Sequence, residues 1–223
     1  MTWHPLSGEF VLTALEAAAV LISAVAGMIM ASHKGMDLIG AYALACLNAF
    51  GGGTVRDLLL DNRPFYWMQH WEYLVAILAI CVPFVYSARM FKVASEVHRR
   101  SVYVDAIGLA LFTITGVGVA LAHEVPIAVA LLMGVVTGTM GGVLRDVVVN
   151  EIPDLFRPGT LYATASFAGG AAFVTAIDYY DLHYGQAAMT GIVVTVVLRL
   201  LSVRLNVGIP APHWVQPPGG RDS

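Results

Sequence analysis

Apolar runs of about twenty residues recur along almost the whole of this chain, from Leu6 to Leu205. A helix of about 20 predominantly apolar residues is what crosses the ~30 Å hydrocarbon core of a bilayer. Only 12% of the residues are charged, against about 25% in an ordinary soluble domain. The bilayer is therefore read as the solvent, and the fold as an all-α membrane protein.

Seven transmembrane helices are predicted, over residues 6–30, 38–60, 71–90, 102–122, 127–149, 160–177 and 186–205. The short connections hold residues that end helices: Pro64, Pro126, Pro153, Pro158 and Gly185. The first run is read as a retained helix, because no Lys or Arg precedes Lys34 to make a signal-peptide leader. No polar segment is long enough for a soluble domain. Residues 1–207 are thus one transmembrane domain, and 208–223, rich in Pro and Gly, a disordered cytoplasmic tail.

Basic residues set the orientation. With seven spans, one side collects Lys34, Arg89, Lys92, Arg99, Arg100, Arg145, Arg157, Arg199, Arg204 and Arg221, and the other only Arg56 and Arg63, a division of 10 to 2. The positive-inside rule then places the C-terminus in the cytoplasm and the N-terminus outside, in the cell (inner) membrane. Trp3, Trp67, Trp71 and Trp214 lie near span ends as interfacial anchors. The patch His98-Arg99-Arg100 suits anionic lipid, although inside-facing charge alone accounts for it.

The chain repeats itself at an offset of 89. Glu16 meets Asp105, Gly27 meets Gly116, and Gly52-Gly53 meets Gly141-Gly142. Arg56-Asp57 meets Arg145-Asp146, Pro64 meets Pro153, and Tyr73 meets Tyr162, all without a gap. Repeat one covers about 6–90 and repeat two about 100–178, and the seventh helix lies outside both. Three spans per repeat is an odd number. The second copy therefore enters the membrane from the opposite side, giving two inverted three-helix repeats.

The chemistry concentrates in the doubled motif. Gly51-Gly52-Gly53 precedes Arg56-Asp57 in the second span; Gly138, Gly141 and Gly142 precede Arg145-Asp146 in the fifth. Adjacent glycines loosen a helix. Carbonyls freed at such a break coordinate cations in known filters and transporters. Two matching breaks point to an ion or small-solute path between helices two and five. Close helix packing is the alternative, since small residues let backbones approach. Asn48, Thr137 and Thr139 are candidates to line the path, with Thr113 and Thr115 in helix four, unless their hydroxyls bond their own backbone.

Charges at membrane depth need partners. Neighbours on a helix point about 100° apart, so Arg and Asp of one motif are poor partners for each other. The predicted pairs are Glu16–Arg56 and Asp105–Arg145, with Asp57 and Asp146 completing the charge network. Whether it locks the bundle or serves transport stays open at this level. Cys46 and Cys81 read as buried thiols. The seven histidines are scattered, no nucleophile–base pair, P-loop or metal-ligand spacing is present, and no enzyme activity, cofactor, metal or nucleic-acid partner is expected.

Two three-helix units with GG-x-x-R-D, followed by a seventh helix, resemble the bacterial membrane family sometimes named for glycine transport. They also resemble the related trimeric intracellular cation (TRIC) channels. The resemblance runs from about Leu12 to Leu205. It implies a homotrimer in membrane lipid, each protomer with its own pore between helices two and five, bent at the glycine motifs. The permeant ion it implies is potassium, with weak discrimination against sodium. Helix four carries no Lys or Arg after Val102, so the family's regulation through a basic residue there does not carry over. Met140 stands where the first motif has Gly51. The alternative function is a secondary transporter of a small zwitterion such as glycine; a scaffold without transport is disfavoured by the buried charges.

Overall fold

The computed structural model describes residues 5–87, 101–157, 160–205 and 207–208. Trp3, Trp214, the His98–Arg100 patch, residues 88–90 of the third predicted span, and the tail from 209 onward lie outside the described residues. The described residues form eight α-helices: α1 (Pro5–His33), α2 (Leu38–Leu59), α3 (Tyr66–Gln69), α4 (Glu72–Tyr86), α5 (Ser101–Ala122), α6 (Ile127–Val148), α7 (Ala163–Asp178) and α8 (Tyr184–Leu205). A 3₁₀ turn, Asp154–Phe156, follows α6.

Five of these, α1, α2, α5, α6 and α8, are long and apolar enough to cross a bilayer. The third and sixth predicted spans are shorter than expected. The helix α4 has 15 residues and α7 has 16, about 22–24 Å at 1.5 Å per residue. Pro83 lies in the last turn of α4, where it removes a backbone donor, and Ser87 turns extended just after. Leu161 gives its N–H to Ser202 Oγ in α8 at 2.9 Å, so α7 begins only at Ala163. Both short helices occupy the third place of their repeat.

The backbone repeats with the sequence. Gly35 and Glu124 have φ of 64° and 56°, and Asp61 and Asn150 have 50° and 57°; each pair is 89 residues apart. All four follow a helix C-terminus, where a left-handed residue lets the chain turn back and satisfy the last carbonyls. Asn62 N–H reaches Asp57 O and Glu151 N–H reaches Asp146 O, both at 2.8 Å. Asp and Asn tolerate this conformation better than most side chains.

Packing inverts the soluble pattern. One face of α8 buries Ala187, Ala188, Gly191, Thr195, Arg199 and Ser202, while Met189, Val193, Val197 and Leu201 are exposed. Small residues allow close helix approach, and large apolar ones suit lipid. A Cβ on Gly191 would meet Gly169 O at 2.7 Å across the α7–α8 contact. The equivalent first helices differ: most of α5 is buried, whereas most of α1 is not. The reason is that α8 packs on α5.

The glycine motifs do not break their helices. Both α2 and α6 run as α-helix through 51–53 and 138–142, which corrects the expectation of unwound segments. The glycines serve the alternative role. A Cβ on Gly52 would strike the carbonyl oxygen of Thr137, and one on Gly141 would lie 2.5 Å from Asn48 O. These contacts seat α2 against α6. A Cβ on Gly138 would instead meet Thr113 Oγ1 at 2.8 Å and Leu109 O at 3.0 Å, both in α5.

Candidate functional site: paired charge clusters along a cavity line

Two charge clusters sit at equivalent places in the two repeats. In the first, Arg56 Nη1 lies 3.3 Å from Glu16 Oε1 of α1. Arg56 Nε also donates to Asp57 Oδ1 at 2.9 Å. In the second, Arg145 Nη1 lies 3.6 Å from Asp105 Oδ1 of α5, and Arg145 Nε donates to Asp146 Oδ1 at 2.8 Å. Adjacent Arg and Asp are therefore partners, contrary to expectation. The long arginine stem folds back along the helix and closes the angular gap that separates neighbouring Cβ atoms. Both arginines are buried, Arg56 2% and Arg145 8% exposed. Charges held so deeply persist only when paired.

The surroundings then diverge. Asn62 Nδ2 adds a hydrogen bond to Asp57 Oδ1 at 3.2 Å. At the equivalent place stands Glu151, which pairs with Lys34 at 2.6 Å. The second cluster also receives Arg199 from α8. Its Nη2 lies 2.6 Å from Asp154 Oδ2 and 4.0 Å from Asp105 Oδ2. Its guanidinium stands 4.6 Å over the Tyr162 ring, an arrangement attractive for a cation. Tyr162 OH donates to Asp105 Oδ1 at 3.4 Å.

Three separate cavities lie at and between the clusters. The first, of about 20 Å³, is lined by Glu16, Arg56, Asp57, Gly53, Phe112 and the aromatic pair Tyr66–Trp67 of α3. The middle one, of about 10 Å³, lies among Ser23, Asn48, Leu109, Phe112, Gly138, Gly141 and Gly142, and is about large enough for a single water. The third is a vestibule of about 250 Å³ holding Asp105, Arg145, Asp146, Glu151, Asp154 and Arg157 against Ala26, Ile29 and Met30. Phe112 lines the first and the middle cavities, and Ala26 and Asp105 line the middle one and the vestibule. The cavities thus follow one another among α1, α2, α5 and α6, with a neck between.

The expected path residues divide. Asn48, Gly53, Gly138, Gly141 and Gly142 line these cavities, whereas Gly51, Gly52, Thr137 and Thr139 do not. Thr137 and Thr139 give their hydroxyls to Met133 O and Val135 O. Thr115 likewise bonds Phe112 O, and Thr113 bonds Leu109 O and the Ser166 hydroxyl. Threonine hydroxyls in membrane helices commonly bond back to their own turn. Asn48 Nδ2 crosses to Ser23 O at 2.6 Å, tying α2 to α1 at the neck. Sequence reasoning missed Phe112 and the Arg199–Asp154 pair. The count of basic residues assigns Arg199 to one side of the membrane, although it lies inside the predicted span 186–205, where the rule that singles out Arg56 applies equally.

Comparison with known proteins agrees with this architecture. The family model described as Glycine transporter matches twice, at residues 13–89 and 102–178, the same offset of 89 found within the sequence. The UPF0126 inner membrane protein YadS of Escherichia coli (strain K12) is 34% identical over 200 residues, covering 88% of this chain and 93% of that protein. The crystal structure of the TRIC trimeric intracellular cation channel orthologue from Rhodobacter sphaeroides superposes with a TM-score of 0.79 at 33% identity. It covers 88% of this chain and 99% of that one. A prokaryotic TRIC channel in 0.5 M KCl gives 0.77 at 26% identity, covering 89% and 98%.

Proposed function

This chain belongs to the membrane-protein family described as Glycine transporter, and from that premise we propose that it is a cation channel conducting potassium through each protomer. The observation that carries the reading is the charge balance along the cavity line. In each repeat one guanidinium sits between two carboxylates, Arg56 between Glu16 and Asp57, and Arg145 between Asp105 and Asp146. Each repeat-borne cluster thus holds one net negative charge (2 − 1 = 1). Negative charge beside a narrow path concentrates cations and repels anions, and at the first cluster no further buried cation among the described residues offsets this excess. Likeness to structures of TRIC cation channels supports the same reading.

In this reading the cavities are one pore, closed at the Phe112 neck, which about one water fills. The pore is gated by movement at that neck rather than by unwinding at the glycines. Five long helices and two short ones make seven spans, arranged as two inverted repeats plus α8. The protein resides in the inner membrane with its N-terminus outside, which puts the first cluster on the outer side and the vestibule on the cytoplasmic side. It assembles as a homotrimer, a reading supported by the name of the Rhodobacter sphaeroides relative, which calls that protein trimeric.

A secondary transporter of a small zwitterion is the second reading. It is favoured by the mixture of carboxylates and guanidinium groups in the vestibule, whose volume suits an amino acid. Recording from purified protein in planar bilayers under a KCl gradient separates the two. Discrete openings that reverse near the potassium potential are expected. A silent bilayer, with saturable glycine uptake into liposomes from the same preparation, would overturn the channel reading and establish the second.

A further inference from the structure

We propose that Arg199, which belongs to neither repeat, is a charge-setting residue that makes the two mouths of the pore electrically unequal, so that current rectifies. The inference rests on the channel reading.

The two repeats by themselves would build equal ends. At the first cluster, Glu16 and Asp57 share the single cation Arg56, leaving one negative charge (2 − 1 = 1). The vestibule is lined by four carboxylates, Asp105, Asp146, Glu151 and Asp154, and by Arg145 and Arg157. Lys34 adds a third cation, 2.6 Å from Glu151. With these three alone the vestibule also keeps one negative charge (4 − 3 = 1). Among the described charges around this cavity, Arg199 supplies the fourth cation and brings the balance to zero (4 − 4 = 0).

Its placement suits this role. Arg199 is 1% exposed, so it does not enter the vestibule and acts through the carboxylates that do. It holds Asp154 at 2.6 Å and faces Asp105 at 4.0 Å. Its Nε and Nη1 have no hydrogen-bond partner, so no further carboxylate takes up its charge. Tyr162 beneath the guanidinium and the Leu161–Ser202 hydrogen bond hold the group against α8. A cation arriving in the vestibule competes with a fixed guanidinium for Asp105 and Asp154. Among the described residues, no second guanidinium stands against the carboxylates of the first cluster.

Cations therefore pass more readily from the first-cluster side to the vestibule side than in reverse. The effect is electrostatic and depends on salt, since charges are felt over ~30 Å at 0.01 M but only ~3 Å at 1 M. The test is the ratio of currents at equal and opposite voltages, in symmetric KCl, for the full chain. Wild type is expected to rectify at low salt. R199Q should bring the ratio about twofold closer to one at ~0.01 M and merge with wild type at ~1 M. R199K, which keeps the charge, should rectify like wild type. D154N moves the ratio the other way, because it removes a negative charge from the vestibule; Asp154 is only partly buried, so this variant carries the test if R199Q does not fold. Ratios unchanged in both R199Q and D154N, or R199K behaving as R199Q, would overturn the inference and leave the channel reading standing. A silent wild type would overturn both.

Discussion

The arginine of each motif is held by two carboxylates, but the two are not equal in depth. Asp57 is buried completely, whereas Glu16 keeps some exposure. Removing a buried guanidinium leaves two buried carboxylates facing each other without a counter-charge, at a cost of about 3–5 kcal/mol. Removing Glu16's charge leaves Arg56 still bonded by Asp57, at a cost of about 1–3 kcal/mol. R56Q should therefore unfold at clearly lower denaturant than E16Q in mixed micelles. Equal losses would mean that Asp57 contributes nothing as a partner. The Glu16–Arg56 and Asp105–Arg145 proximities were legible from the offset of 89 and from the need to pair charges in lipid. The Arg56–Asp57 contact was not, because residue spacing describes where Cβ atoms point and says nothing of how a long side chain bends.

At the scale of the element, the glycines separate by what their missing Cβ would meet. Gly52 and Gly141 meet backbone of the opposite helix, while a Cβ on Gly53 finds only Arg56 Nη2 at 3.9 Å. G52A forces α2 and α6 apart, and overpacking of this kind costs about 1–3 kcal/mol. G53A should be neutral or stabilising by up to about 1 kcal/mol, because alanine is the better helix former. Thermal unfolding of the two variants in detergent tests this. A loss in G53A as large as in G52A would show that flexibility, and not contact, is what the motif supplies. Reading GG as a hinge or as a contact is undecidable from one chain segment, since it depends on which face of the helix another backbone occupies. Pro64 and Pro126, by contrast, were visible as breakers in the connections, and both lie between helices.

For the whole molecule, the proposed inverted arrangement makes a topological prediction. Single cysteines at Asn62 and at Lys34, in a background where Cys46 and Cys81 are serine, should label from opposite sides of the membrane. Asn62 should label from outside and Lys34 from the cytoplasm. Labelling of both from one side would rule out α2 as a span. A native mass near three times 23.8 kDa is expected in mild detergent.

The sequence by itself determined the solvent, the helical class, the repeat and its offset, and the residues whose charge the membrane makes expensive. These follow from composition, run length and self-similarity, which are local or are shared along the chain. Packing settled that the glycine helices stay whole, that α4 and α7 are short, that Phe112 lines both the first and the middle cavities, and that α8 brings Arg199 to the second cluster. Each of these depends on which surfaces meet. In a bundle where nearly every residue is apolar, the pairing of surfaces is set by small differences in side-chain size that no single span records.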